Sequence, residues 1–167
     1  ARMGYSRELC YELFLKDHSK GDELWELLWQ AGQELNISGG TPNVILRLEG
    51  GILSYLADID RSNNPYEVGL GWMVDLEQED DFIGKEALVK INKEGPEKKL
   101  MGAEIDGEPI TVFNEERWPV FIDGNKVGSM NALVYSPRLD KNICYTILDI
   151  EHAQVGKEIV IYSPEKE

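Results

Sequence analysis

The sequence predicts an α+β chain: a helical segment to about residue 94, then an antiparallel β lobe. Three observations carry this. Apolar residues recur at helical spacing in two stretches before residue 94. After residue 98 the pattern changes to short apolar runs separated by turn residues. A Gly95-Pro96 pair punctuates the change. The boundary therefore falls at 94–98, giving segments 1–95 and 96–167.

The elements follow in order. In residues 11–15, Tyr11, Leu13 and Leu15 alternate with Glu12 and Phe14, which predicts a strand with one wetter face. A strand so near Ala1 suggests a chain cut from something longer. Asp22 is placed to cap a helix whose apolar face is Leu24, Leu28, Ala31 and Leu35, flanked by Trp25 and Trp29. Asn36 and Gly39-Gly40 end it. Thr41-Pro42 then predicts an N-cap and a proline in the first turn of a short helix carrying Val44, Ile45 and Leu48. Residues 52–81 are mostly irregular, with a turn cluster at 62–65 and a glycine-loosened strand at 69–74. A third helix follows Phe82-Ile83-Gly84, its apolar face Ala87, Leu88 and Ile91. Strands are predicted at 100–105, 118–122, 126–134, 143–147 and 158–162, with turns at Asp123-Gly124-Asn125 and Ser136-Pro137. Such runs favour a small antiparallel barrel or sandwich.

Composition narrows the function. Lys+Arg is 17 against 31 Asp+Glu, a formal charge of −14, so the basic footprint of a nucleic-acid binder is missing. Hydrophobic content of 42% suits a packed core. No run approaches the roughly 20 apolar residues of a membrane helix, and no leader pattern opens the chain. A soluble, cytoplasmic protein is the expectation. Cys10 and Cys144 are too few for a zinc site of their own and lie among apolar or aromatic neighbours, as buried small hydrophobes do. His18 and His152 lie in polar segments with no evident triad or metal partners, so no metal is expected. Phosphate-loop, dinucleotide and nucleophile-elbow motifs are absent from the sequence.

Glu12 holds more interest. A partly buried strand carboxylate needs a partner, which a salt bridge or the solvent face of the strand would supply. The functional alternative is a ring with adjacent N–H donors, which a carboxylate's two acceptors suit. The edge of a pterin is such a ring, and Tyr5 and Tyr11 could offer it aromatic surface. Trp72 reads as core, and the glycines around it permit close backbone approach.

Several stretches together resemble the glycine cleavage T-protein family. Gly4-Tyr5-Ser6-Arg7-Glu8-Leu9-Cys10-Tyr11-Glu12-Leu13 is similar to its Gly-Tyr-Thr-Gly-Glu-Asp-Gly-x-Glu-Ile motif, departing from it at residues 7–10. Leu46-Arg47-Leu48-Glu49-Gly50-Gly51 resembles Leu-Arg-Leu-Glu-Ala-Gly. Residues 64–72 resemble Thr-Pro-x-Glu-x-Gly-Leu-x-Trp, and Phe82-Ile83-Gly84-Lys85-Glu86-Ala87-Leu88 matches Phe-Ile-Gly-x-Glu-Ala-Leu. Trp118-Pro119-Val120, Val127-Gly128 and Ser136-Pro137-Arg138-Leu139 follow in order.

The resemblance implies a partial ferredoxin-like folate-binding lobe over 1–95 and a β-barrel lobe over 96–167. It implies tetrahydrofolate as cofactor, with Glu12 on the pterin, Tyr5 stacking on it, and Tyr11 and Asn43 in the folate-binding set. It places the family's catalytic aspartate in an N-terminal half outside this chain, so no catalytic residue is expected here. Partners implied are folate, a small methyl donor, and the missing N-terminal half or a second copy of the chain. Where the T-protein has Ala-Arg-Asp, this chain has Pro42, Asn43 and Val44. That departure resembles the dimethylsulfoniopropionate demethylase branch, which moves a methyl group from a sulfonium to tetrahydrofolate. An aminomethyltransferase and a non-catalytic folate-binding module are the alternatives.

Overall fold

The computed structural model describes residues 4–41 and 43–163. The chain divides into two compact units, Ala1–Ile52 and Leu53–Glu167.

In the first unit, a 3-10 turn over His18–Lys20 leads into helix α1, Gly21–Gly32, and a second 3-10 turn, Gln33–Leu35. Asp17 caps the 3-10 turn, its Oδ1 accepting from the Ser19 N–H at 3.1 Å, while α1 follows Lys20 with no side-chain cap, so Asp22 does not cap it. Asp22 lies within the first turn of α1, where a carboxylate favours the dipole. Asn36 ends the helical stretch in the left-handed conformation, φ 55°, as the sequence predicts. Helix α2 is Val44–Glu49. Pro42 lies outside the described residues, and the cap is Asn43, not Thr41. Asn43 Oδ1 accepts from Ile45 N (2.9 Å) and Leu46 N (3.2 Å), as Asx side chains do at helix starts.

Two expectations fail in this unit. Residues 11–15 form no strand, and Glu12 is exposed, so it is not a partly buried strand carboxylate. Alternation yields a strand only where a neighbour completes the ladder, and none pairs with this segment among the described residues. The apolar face of α1 is also uncovered. Leu24 is half-buried, but Leu28, Ala31 and Leu35 are exposed.

The second unit begins with irregular chain. Residues 64–67 form a reciprocal cap: Asn64 Oδ1 accepts from Tyr66 N and Glu67 N, and Glu67 Oε2 accepts from Asn64 N. No strand forms at 69–74; a 3-10 turn, Gly71–Met73, takes its place. Gly69 turns left-handed, φ 74°, and Leu70 N closes on Pro65 O at 2.8 Å, which ends any extended run. A Cβ at Gly71 would collide with the Tyr66 ring. Trp72, read from the sequence as core, is 80% exposed. Helix α3, Lys85–Glu94, begins after Gly84 and stops at Gly95, φ 86°. Leu88 and Ile91 are half-buried, whereas Ala87 is exposed.

Five strands complete the unit: β1 Lys98–Ile105, β2 Trp118–Ile122, β3 Asn125–Ser136, β4 Lys141–Asp149 and β5 Val160–Ile161. They form one open antiparallel sheet ordered β1-β4-β3-β2-β5. The mixed helical and antiparallel architecture agrees with the predicted class. Asp123 and Gly124 both take positive φ in the β2–β3 hairpin, which matches the strands' twist. The core consists of Val120, Val127, Met130, Leu133, Cys144 and Leu148. Gly128 packs so tightly that a Cβ would strike the Ile147 carbonyl. A bulge between Asn131 and Val134 puts Ala132 at φ 54° and turns Asn131 toward the chain before it. Asn131 Nδ2 donates to the carbonyls of Ala57 (2.9 Å) and Asp58 (3.0 Å).

Candidate functional site

The predicted site residues lie in the first unit. Tyr5 is half-exposed, and the Arg47 guanidinium sits 5.8 Å from its ring centroid, a cation–π pair. Arg47 is 1% exposed, and its Nη1 donates to the Ile52 carbonyl at 2.8 Å. A buried guanidinium is costly unless paired, so Arg47 is fixed in place and fixes Tyr5 with it. Arg7 Nη1 also donates to the Gly50 carbonyl, at 3.4 Å, which ties the 4–8 loop to the end of α2. Asn43 and Arg47 are one helical turn apart on α2, on the same side. The structure thus gathers Tyr5, Arg47 and Asn43 around one short helix. Tyr11 and Glu12 are exposed on the irregular segment beyond Cys10.

Arg47 is the residue the sequence reading passed over. Its signal was a charge inside the apolar run Leu46-Arg47-Leu48, half-buried to buried throughout. Asn43 Oδ1 serves the α2 cap, while its Nδ2 donors are not part of that cap.

Other reactive groups point away from chemistry. Burial pushes the Cys144 thiol up to about 12, leaving it protonated and inert at neutral pH. Cys10 is half-buried, not fully so as predicted, and packs beside Gly4. His152 Nε2 lies 3.3 Å from Glu151 and its Nδ1 3.2 Å from Lys157 Nζ. No group of three or more metal-ligating side chains occurs among the described residues. Among them, too, no helix is long and apolar enough to cross a membrane.

Residues 1–78 match the family model for the T-protein N-terminal domain, and residues 98–167 match the glycine cleavage T-protein C-terminal barrel domain. The chain belongs to the glycine cleavage T-protein family. Within that family it is 34% identical over 165 residues to the dimethylsulfoniopropionate demethylase of Ruegeria pomeroyi, covering 99% of this chain and 44% of that protein. It is 34% identical over 163 residues to the aminomethyltransferase of Symbiobacterium thermophilum (96% and 42%). It is 35% identical over 166 residues to that of Prochlorococcus marinus (99% and 43%). The chain therefore spans less than half the length of these T-protein relatives. The glycine cleavage aminomethyltransferase T of Bartonella henselae superposes with a TM-score of 0.62 over 73% of this chain and 34% of that one, at 23% identity, a likeness of fold.

Proposed function

We propose that this chain is the C-terminal part of a tetrahydrofolate-dependent one-carbon transferase, of the kind that moves a methyl group from dimethylsulfoniopropionate. Residues 1–95 then finish a folate-binding domain and residues 96–167 form the barrel. The observation that carries the folate reading is the ring of Tyr5 held against Arg47, with the exposed carboxylate of Glu12 seven residues further along the chain. A planar pterin needs an aromatic face and a pair of acceptors for its N–H edge, and this residue set fits both. Tyr11 adds exposed aromatic surface next to Glu12. Tetrahydrofolate supplies the nitrogen that accepts the one-carbon unit. This chain's residues bind and orient it, and catalysis waits on residues outside the chain.

The branch rests on Asn43. Identity is 34% to the demethylase and 34–36% to several aminomethyltransferases, so it favours neither. Asn43, in the place of the T-protein arginine, leaves that position without a cation. A sulfonium is itself a cation and a good leaving group, so its demethylation asks mainly for positioning. A site without that arginine suits it better than a site with it.

Titration of tetrahydrofolate into the intact protein tests the Glu12 role. Glu12→Gln turns one acceptor into a donor facing a ring N–H. A mispaired polar group costs on the order of 1–3 kcal/mol, and about 1.4 kcal/mol is one decade. Binding should weaken roughly tenfold or more. Unchanged affinity would make Glu12 a surface carboxylate and nothing else. Turnover of dimethylsulfoniopropionate against an aminomethylated carrier protein separates the two branches.

A further inference from the structure

Two departures from the family motifs meet in the first unit. Arg7 stands where the motif has glycine, and Gly50 where it has alanine. Arg7 takes the left-handed conformation, φ 61°, which glycine adopts freely and an L side chain resists. Asn36, Asp123 and Asp140 also take positive φ, but short polar side chains bond locally and tolerate it. An arginine is not of that kind. Gly50 completes the pair. A Cβ there would lie 2.9 Å from the Arg7 Cβ and 3.0 Å from the Leu46 carbonyl of its own helix. No side-chain rotation relieves a contact between two Cβ atoms, so the 4–8 loop would have to lift off α2. An arginine at position 7 therefore requires the missing methyl at position 50.

Fold stability does not account for Arg7. Its side chain is exposed, and its Nη1 reaches the Gly50 carbonyl at 3.4 Å. A bond of that length in solvent contributes little, and the strained backbone offsets it. Strain of this sort persists where it holds something in position for a ligand. Arg7 joins its loop to the C-terminal end of α2. Arg47, within α2, holds the Tyr5 ring of the same loop, 5.8 Å from its centroid. We infer that Arg7, together with Gly50, is a positioning residue that presents the Tyr5 ring to the pterin of tetrahydrofolate. The inference rests on the folate role proposed above for Tyr5 and adds the pair that sets its ring. Two guanidiniums fix one short loop at two points, and a loop held in its bound form loses less freedom on binding.

Tetrahydrofolate titration of the intact protein, with hydrogen exchange of the ligand-free protein alongside, tests the pair. Arg7→Gly should quicken exchange over residues 4–8 and leave the urea midpoint where it was. If the docked loop is then populated roughly a tenth of the time, tetrahydrofolate affinity falls about tenfold. Gly50→Ala should weaken binding by a similar factor when Arg7 is present. It should have no further effect in the Arg7→Gly background, which removes the facing Cβ. Tyr5→Leu should likewise make affinity insensitive to Arg7→Gly, since Arg7 acts through that ring. Unchanged loop exchange or unchanged affinity in Arg7→Gly would overturn the inference. So would additive effects in either pair, or a fall in the urea midpoint that tracks the loss of affinity. If the unaltered protein bound no tetrahydrofolate, the folate role would go, while loop exchange and its dependence on residue 50 would still decide whether Arg7 and Gly50 lock the loop.

Discussion

The two units have similar apolar endowments and opposite fates for them. In Leu53–Glu167 each strand finds its neighbour within the unit, and Val120 and Met130 are fully buried. In Ala1–Ile52 the regular pattern of α1 is equally clear, yet Leu28 is 42% exposed. Periodicity specifies a face to be covered. It does not specify what covers it, and a sheet of successive antiparallel strands brings its own cover where a lone helix cannot.

The largest expected effect tests that contrast directly. Met130→Ala should destabilise the sheet unit by about 2–5 kcal/mol, the usual cost of a large-to-small change in a closed core. Leu28→Ala in the same chain should stay within about 0.5 kcal/mol, as exposed substitutions do. Urea unfolding of both variants reads the difference. Similar losses would mean that the α1 face is buried in solution, and the contrast would fail.

A smaller effect sharpens the picture of how the sheet organises the chain before it. Asn131→Ala removes the donor from two backbone carbonyls, Ala57 and Asp58, while Asp58 itself is fully buried. A loss of about 1–3 kcal/mol follows from leaving buried acceptors without a partner. Hydrogen exchange should quicken over residues 53–60 and stay slow in β3 and β4. Uniform quickening would show that the bulge, not the clamp, was lost.

The smallest effect is acid-dependent. Two bonds from Ser62, from its hydroxyl (2.6 Å) and its N–H (2.8 Å), hold the Asp60 carboxyl below its ordinary value of 3.8, with Arg117 at 3.0 Å adding to them. A depressed folded-state value means the stabilisation is present above pH 3.8 and fades as pH falls below it. Asp60→Asn should therefore be slightly less stable than the parent at pH 6, with the gap closing below 3.8. The Asp60 side chain is 32% accessible, so salt should shrink the gap as well. A gap that widened in acid would reverse the sign and refute the assignment.

Much of the second unit was legible because its signals are local. Strand 118–122 was read to the residue. Helix α3 was bracketed by Gly84 and Gly95, and the β2–β3 hairpin by a residue pair that tolerates positive φ. The strand predicted at 126–134 extends over Asn125–Ser136, because Asn125 and Ser136 resemble turn residues yet pair in the sheet. The candidate site was legible in part. Tyr5 and Asn43 were singled out, but Arg47 was not, since a single charge in an apolar run signals burial only once its partners are known. Residues 11–15 carry strand-like alternation with no strand pairing with them among the described residues, whereas at 69–74 the left-handed Gly69 ends the extended run.

By itself the sequence determined the α+β order, the change of period near residue 95, the positions of the turns and the family motifs. These depend on backbone preference and side-chain spacing, which act over a few residues. Only the tertiary structure decided that Arg47 clamps Tyr5, that Asn131 reaches Ala57 and Asp58 across more than seventy residues, and that α1 shows its tryptophans to solvent. Those outcomes depend on which surfaces meet, and that is a property of the packed chain, since burial and pairing are settled between segments and not within them.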